Sequence, residues 1–225
     1  MGLTQTVPCP LCQSEGTEPF HQDSNREYLR CSHCELVFVP EPFLPTPAEE
    51  KAHYDLHENS PEDTGYRQFL NRLAEPLTAK ISTNAVGLDF GSGPGPTLSV
   101  MLEERGYPMQ VFDPIYAPNP DALNASYDFI TATEVVEHLH RPGNTLETLH
   151  ALLRPGGWLG IMTKRVLSRE AFRSWHYIQD PTHVCFWSEH TFRWLAGHWR
   201  AHVEFPAADV VLLQIPGANS DPVLP

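Results

Sequence analysis

Positive charge is scarce in this chain. Across 225 residues, 15 Lys and Arg stand against 28 Asp and Glu, a formal net charge of −13. Nucleic-acid binders draw their affinity from cations that neutralise phosphates, so this balance argues against an RNA or DNA clamp. The deficit is uneven: residues 1–163 carry 22 acids and 9 cations, residues 164–225 six of each. Long apolar runs are also missing, and none approaches the ~20 residues that span a bilayer. No signal peptide is evident, which predicts a cytoplasmic protein without a membrane span. No lysine lies between Lys80 and Lys164, so the glycine-rich stretch in that interval lacks the Gly-Lys-Ser/Thr of a phosphate-binding P-loop. Cysteine is limited to five residues. What is plentiful is apolar sequence, 41%, and proline, 22 residues. A chain of this length suits one ordinary domain with a small appendage.

Four of the five cysteines form two C-x-x-C pairs, Cys9-Pro-Leu-Cys12 and Cys31-Ser-His-Cys34, 18 residues apart. That spacing reads as two knuckles delivering four thiolates to one structural Zn²⁺. Two disulfides or a redox dithiol fit less well without a signal peptide and with Cys185 isolated in sequence. His21 and His33 are spare donors, read as surface residues. The knuckle through Glu41 holds six acids and two arginines, a poor surface for nucleic acid. Pro40-Glu-Pro-Phe-Leu-Pro-Thr-Pro47 is a stiff linker and a natural boundary.

The most informative stretch is Val86-Gly-Leu-Asp89-Phe-Gly91-Ser92-Gly93-Pro-Gly95. An apolar strand ends in an acid and three alternate glycines, and Pro96 is placed to open a helix. Alternate glycines let backbone approach a ligand, and the following helix offers free N–H groups. A dinucleotide loop would want glycine where Pro96 stands. Met109 to Asp113 reads as the next strand, ending in a carboxylate suited to ribose hydroxyls. Tyr127 to Thr133 is another strand, followed by Glu134-Val-Val-Glu137-His138. A helix over about Pro142–Leu153, closed by Arg154-Pro-Gly-Gly157, precedes the strand Trp158–Thr163. The four motifs in this order, over roughly residues 65–215, resemble class I S-adenosylmethionine methyltransferases of the ubiquinone/menaquinone type.

That resemblance implies an α/β fold, a seven-stranded, mostly parallel, doubly wound Rossmann-like sheet, with the zinc ribbon at its N-terminus. The implied organisation is 1–40 zinc ribbon, 41–80 linker and helical cover, 81–216 core and 217–225 flexible tail. It implies a cofactor site for S-adenosyl-L-methionine from Asp89, Gly91, Ser92, Gly93, Gly95, Asp113, Pro114, Thr133 and Glu134, with Tyr54 and Tyr66 of the cover as candidates for its methionine end. The chain departs from the family between Asp113 and Tyr127, where 13 residues replace a helix and a strand bearing an adenine-contacting acid; Asp121 stands in a loop-like run there.

In the cover, Phe69, Leu70, Leu73 and Leu77 make one helical face. Past the fifth strand, Lys164, Arg165, Arg169 and Arg173 form a basic cluster, read either as a solvated helix face or as a partner for an anionic molecule. Trp175 to Trp187 is dense in aromatics, and similar segments border the active site in the related enzymes. It reads either as a wall of the substrate cleft or as packing. A helix from about Ser188 to His198 and strands Ala201–Phe205 and Asp209–Ile215 close the fold. Methyl transfer needs a positioned acceptor and sometimes a base near neutrality. His138 and His183 are the candidates. The function expected is methyl transfer to a small molecule; alternatives are methylation of protein or RNA with the knuckle as recognition module, or a non-catalytic cofactor-binding scaffold.

Overall fold

A computed structural model of the chain describes residues 7–56 and 59–218. Most of the tail expected at 217–225 lies outside them. Each knuckle is the same turn: the residue after its second cysteine, Gln13 or Glu35, takes a left-handed conformation (φ 61° and 59°). The first cysteine's carbonyl accepts that residue's N–H, and its amide bonds the carbonyl one residue further on, at Ser14 or Leu36. Strands β1 (Thr17–Gln22), β2 (Glu27–Cys31) and β3 (Val37–Phe38) form a meander. Helix α1 (Pro47–Tyr54) begins at a capping box, Thr46 and Glu49 exchanging bonds, with Pro47 at its first position. Helix α2 (Thr64–Thr78) is capped by Asp63 and buries Leu70, Leu73, Ala74 and Leu77; of the face expected from spacing, Phe69 is only partly buried.

The core follows: β4 (Gly87–Phe90), α3 (Thr97–Glu103), β5 (Met109–Phe112), β6 (Tyr127–Thr133), α4 (Pro142–Leu152), β7 (Leu153–Met162), α5 (Arg169–Phe172), β8 (Cys185–Phe186), α6 (Glu189–Trp199), β9 (His202–Ala207) and β10 (Val210–Gln214). The main sheet runs β5-β4-β6-β7-β10-β9. β5, β4, β6 and β7 are parallel, and β10 is antiparallel to both β7 and β9. Side chains alternate between two faces: Leu159, Ile161, Val211 and Leu213 pack on one side, Trp158, Met162, Val210 and Leu212 on the other against α2 and α3. Leu73 and Leu77 are fully buried there, each worth ~1.5–3 kcal/mol of transfer free energy.

The sheet has six strands, not the seven expected. The segment between Asp113 and Tyr127 is too short for another crossover and strand; it holds a 3-10 helix at Pro120–Asn124, anchored by buried Ala122. β5 is therefore an edge. β7 also begins earlier than expected, at Leu153. Arg154–Gly157 bulges out of register against β6, which jumps from Tyr127↔Leu153 to Phe129↔Trp158, and Gly156 supplies the positive φ (82°).

The second sheet has the order β1-β2-β3-β8. Its last strand comes from between β7 and α6, pairing Val37 with Phe186 and Phe38 with Cys185. Cys9, Leu36 and Phe38 share one apolar cluster with Leu146, Leu159 and Phe192.

Candidate functional site

Parallel strands present their carboxyl ends along one edge, and the strand order leaves β4 in both directions, so ligands are expected in the crevice above β4. The glycine loop sits there. Gly93 has φ +64°, and an added Cβ would meet nothing within 4 Å; the backbone is open on the side from which a ligand would come. Gly95 is crowded instead, since a Cβ would strike the backbone carbonyl of Asn59. The chain leading into α2 therefore lies directly on the loop. Ser92 and Gly91 complete the turn, the Gly91 N–H bonding Phe112 O at 2.7 Å.

Asp89 is buried, and its carboxylate faces inward, accepting from Thr131 Oγ1 at 2.8 Å and Ser99 Oγ at 3.1 Å. Burial pushes its pKa up to about 6 despite those bonds. Asp113 is buried at the tip of β5, accepting from Gly93 N (3.0 Å), Ile115 N (2.8 Å) and Tyr116 N (2.9 Å). It joins the glycine loop to its own turn, while Pro114 beside it is exposed. Asp121 is exposed on the 3-10 helix.

Thr133 ends β6. Glu134 follows with φ +53°, strain uncommon for a residue with a Cβ, and its N–H bonds Met162 O at 2.8 Å. Burial, then the charge on Glu137, raises Glu134 to about 9. Tyr66, stacked on Phe69 in α2, is pushed up to about 12 by burial and by the charges of Asp89 and Glu134. The Tyr54 ring meets His138 edge-on at 5.3 Å between centroids.

His138 ends a 3-10 turn, Val136–His138, and His183 comes from the loop before β8. Their rings are 4.7 Å apart. His183 Nδ1 lies 2.7 Å from Tyr177 O and His138 Nδ1 lies 3.1 Å from Thr182 O. A carbonyl only accepts, so both imidazoles carry a proton on Nδ1. Burial, then the neighbouring His138, holds His183 below the usual histidine range.

Several neighbours of this pair were not foreseen. Glu137 is fully buried; Tyr177 Oη donates to its Oε1 in a short hydrogen bond. Thr163 Oγ1 lies 3.2 Å from Tyr177 Oη. Asp180 Oδ2 meets His53 Nε2 at 3.0 Å. Arg26, in the β1–β2 turn, donates to the carbonyls of Ile178 (2.6 Å), Pro181 (2.9 Å), Asp180 (3.0 Å) and His183 (3.0 Å). The spacing Glu134-x-x-Glu137-His138 was a legible signal for Glu137. For Arg26 there was none, because its acceptors are backbone atoms more than 150 positions away.

The aromatic loop serves both surfaces: Tyr177 lies 4.0 Å from the His183 ring, while Trp175 and Phe186 pack on Phe172. Phe172 lies against Phe20, Tyr28, Trp175 and Phe186 at 5.1–6.0 Å between centroids, joining the ribbon to the core. The basic cluster disperses: Arg165 binds Ala207 O and Val210 O, and Arg169 lies over Phe20, while Lys164 contacts His176 and the Tyr177 ring.

The four cysteine sulfurs lie within 4.8 Å of one another. Cys9–Cys34 and Cys12–Cys31 are 3.6 and 3.5 Å apart, close to the ~3.8 Å between sulfurs of a tetrahedral site with bonds of ~2.3 Å. Contact with Cys34 brings Cys9 down to about 6, while burial raises Cys12 to about 12 and contact with Cys9 raises Cys34. Four thiolates at this distance repel unless a cation lies between them.

Residues 57–198 match the family described as "Methyltransferase domain". A curated relative, the ubiquinone biosynthesis O-methyltransferase of Shewanella pealeana, is 26% identical over 91 residues, 40% of this chain and 38% of that protein. A Pectobacterium atrosepticum protein of the same name is 28% identical over 85 residues, 38% of this chain and 35% of that one. This chain thus matches well under half the length of the curated relatives. Among solved structures, a Burkholderia thailandensis 1,6-didemethyltoxoflavin-N1-methyltransferase, with its substrate and S-adenosylhomocysteine bound, superposes with a TM-score of 0.50 at 18% identity, covering 88% of this chain and 99% of that one. Family match, strand order and glycine loop agree: this chain belongs to the methyltransferase domain family and has the class I, Rossmann-like fold.

Proposed function

We propose that this protein transfers a methyl group from S-adenosylmethionine to a small-molecule acceptor. The observation that carries the reading is the convergence at one sheet edge of an open glycine loop, a carboxylate tied to it and a pair of facing histidines. Gly93 leaves the space that a cofactor would fill, and Asp113 and Glu134 stand on either side of β4, where ribose and amino-acid ends would be held. Tyr54 on α1, which meets His138, and Tyr66 on α2 are read as the residues that would flank the cofactor's methionine end. When bound, the cofactor supplies the activated methyl group. The chain's own residues orient the acceptor and exclude water; His138 and His183, beyond Tyr54, are the groups at that end.

Two observations favour a small acceptor. The curated relatives are named for ubiquinone biosynthesis, and the net charge of −13 opposes a phosphate backbone. The four-cysteine cluster is read as a structural Zn²⁺ site, whose ion would hold a segment too short to bury a core alone. Among the described residues no helix is long and apolar enough to cross a membrane. The test is a cell extract incubated with the purified protein and labelled S-adenosylmethionine, then sorted into small-molecule, protein and RNA fractions. Label in the small-molecule fraction is expected; label mainly in protein or RNA would refute the acceptor class.

A further inference from the structure

Beside the cysteine cluster, one other group of metal-ligating side chains comes together among the described residues. Glu137, His138 and His183 each offer a ligand atom, and these atoms lie within 4.8 Å of one another. Two donors on one ion with bonds of ~2.1 Å stand about 3–4 Å apart, so side-chain rotations that draw the atoms in by about 1 Å would close the shell. The orientation of the donors is already set. Both histidines give their Nδ1 protons to backbone carbonyls, the outer-shell arrangement that fixes imidazole orientation in metal centres, and His183 Nε2 faces Asp180 Oδ2 at 3.7 Å. Glu137 is fully buried, and Tyr177 holds one of its oxygens; the other, Oε2, has no hydrogen-bond partner among the described residues. A buried carboxylate oxygen without a partner costs free energy, and a cation would repay it.

We propose that Glu137, His138 and His183 bind one divalent first-row transition-metal ion, in a second metal site distinct from the four cysteines. Two imidazoles and a carboxylate suit Mn²⁺, Fe²⁺, Co²⁺ or Zn²⁺, whereas the thiolate set selects softer ions. The ion's role rests on the function proposed above, and its binding does not. In that role the ion holds an acceptor hydroxyl as its alkoxide, replacing the histidines as the group that deals with the proton. The proton leaves to solvent as the metal–oxygen bond forms. An oxygen lone pair then takes the methyl group while the carbon–sulfur bond breaks, releasing S-adenosylhomocysteine.

The experiment uses the full chain, loaded with Zn²⁺ at the cysteines and titrated with Mn²⁺, which thiolates hold poorly. One Mn²⁺ per chain is expected to bind, and Mn²⁺ should selectively broaden the ring resonances of His138 and His183 in the unaltered protein. Glu137→Gln and His183→Ala should each weaken Mn²⁺ at least tenfold, with S-adenosylhomocysteine affinity as the check that they fold. Absence of Mn²⁺, Co²⁺ or second-equivalent Zn²⁺ binding up to millimolar concentration would overturn the proposal. So would binding that leaves the two histidine signals sharp, or folded variants with unchanged affinity. Methyl transfer that persists without the second ion refutes its role alone. An ion that binds a protein with no methyl transfer refutes the proposed function alone.

Discussion

Arg26→Met removes the clasp between the ribbon and the loop that carries His183. The arginine is 8% exposed, and its guanidinium donates to four backbone carbonyls at 2.6–3.0 Å, with Nε 3.2 Å from Tyr28 Oη. Hydrogen bonds to a charged donor are worth ~1.5–3 kcal/mol each, so simple addition gives ~6–12 kcal/mol. That sum overcounts, because one side chain makes all four bonds and the loop regains water as it opens. Removing one partner of a buried charged network typically costs ~3–5 kcal/mol, and methionine keeps much of the stem's packing. The expectation is a fall of ~3–5 kcal/mol in urea unfolding free energy and faster amide exchange at residues 178–184. Turnover should fall while S-adenosylhomocysteine affinity is retained, because none of these Arg26 bonds goes to the glycine loop. Unfolding free energy within 0.5 kcal/mol of wild type, together with unchanged exchange over 178–184, would refute the reasoning.

Four further outcomes are expected. Asp113→Ala, which loses three amide donors including Gly93 N, should weaken S-adenosylhomocysteine at least tenfold by calorimetry; equal affinity removes Asp113 from the site. Gly95→Ala forces apart the loop and the Asn59 backbone, costing ~1–3 kcal/mol and lowering cofactor affinity, and a neutral result would show that the 59–61 segment yields freely. Cys31→Ser should release one Zn per chain on metal analysis and expose residues 7–39 to protease, and because β3 pairs with β8, amide protection of β8 should fall too; retained zinc and resistance would defeat the assignment. Asp180 is driven up by burial, but Thr182's hydroxyl, His183, the Thr182 amide and His53 outweigh this and hold it at about 2. A depressed carboxylate stabilises the fold above its unfolded value near 4, and the gain is lost as pH falls through 2, so Asp180→Asn should cost ~2 kcal/mol at pH 6. A cost that does not shrink between pH 5 and pH 2 counts against that account.

Much of the fold was legible in the chain for local reasons. The amphipathic face of α2, the glycine loop after β4 and the doubled cysteine knuckles each depend on residues within a few positions of one another. Errors arose where the outcome depended on distance. The seventh strand fails because residues 114–126 cannot supply a crossover, and β7 starts early because its pairing with β6 tolerates a bulge at Gly156. The four cations after β7 look like one patch in sequence, yet Arg165 and Arg169 reach opposite partners. The aromatic loop gives no sign in sequence of which surface it faces, since a cleft wall and a buried seam ask for the same residues.

The sequence by itself determined the chemistry available: four thiolates in two turns, alternate glycines before a helix, acids at strand ends, and two histidines. Those follow from backbone geometry and from spacing within single turns. Only the tertiary structure decided which of them meet. His138 and His183 are 45 positions apart, and they face each other because β8 ties the second loop to the turn after β6 through the Val184 N–H on Glu137 O at 2.8 Å. Arg26 reaches the same loop because burying Phe20, Tyr28 and Phe172 together brings the ribbon against the core. Such contacts follow from the burial of distant apolar surface, which has no fixed signature along the chain.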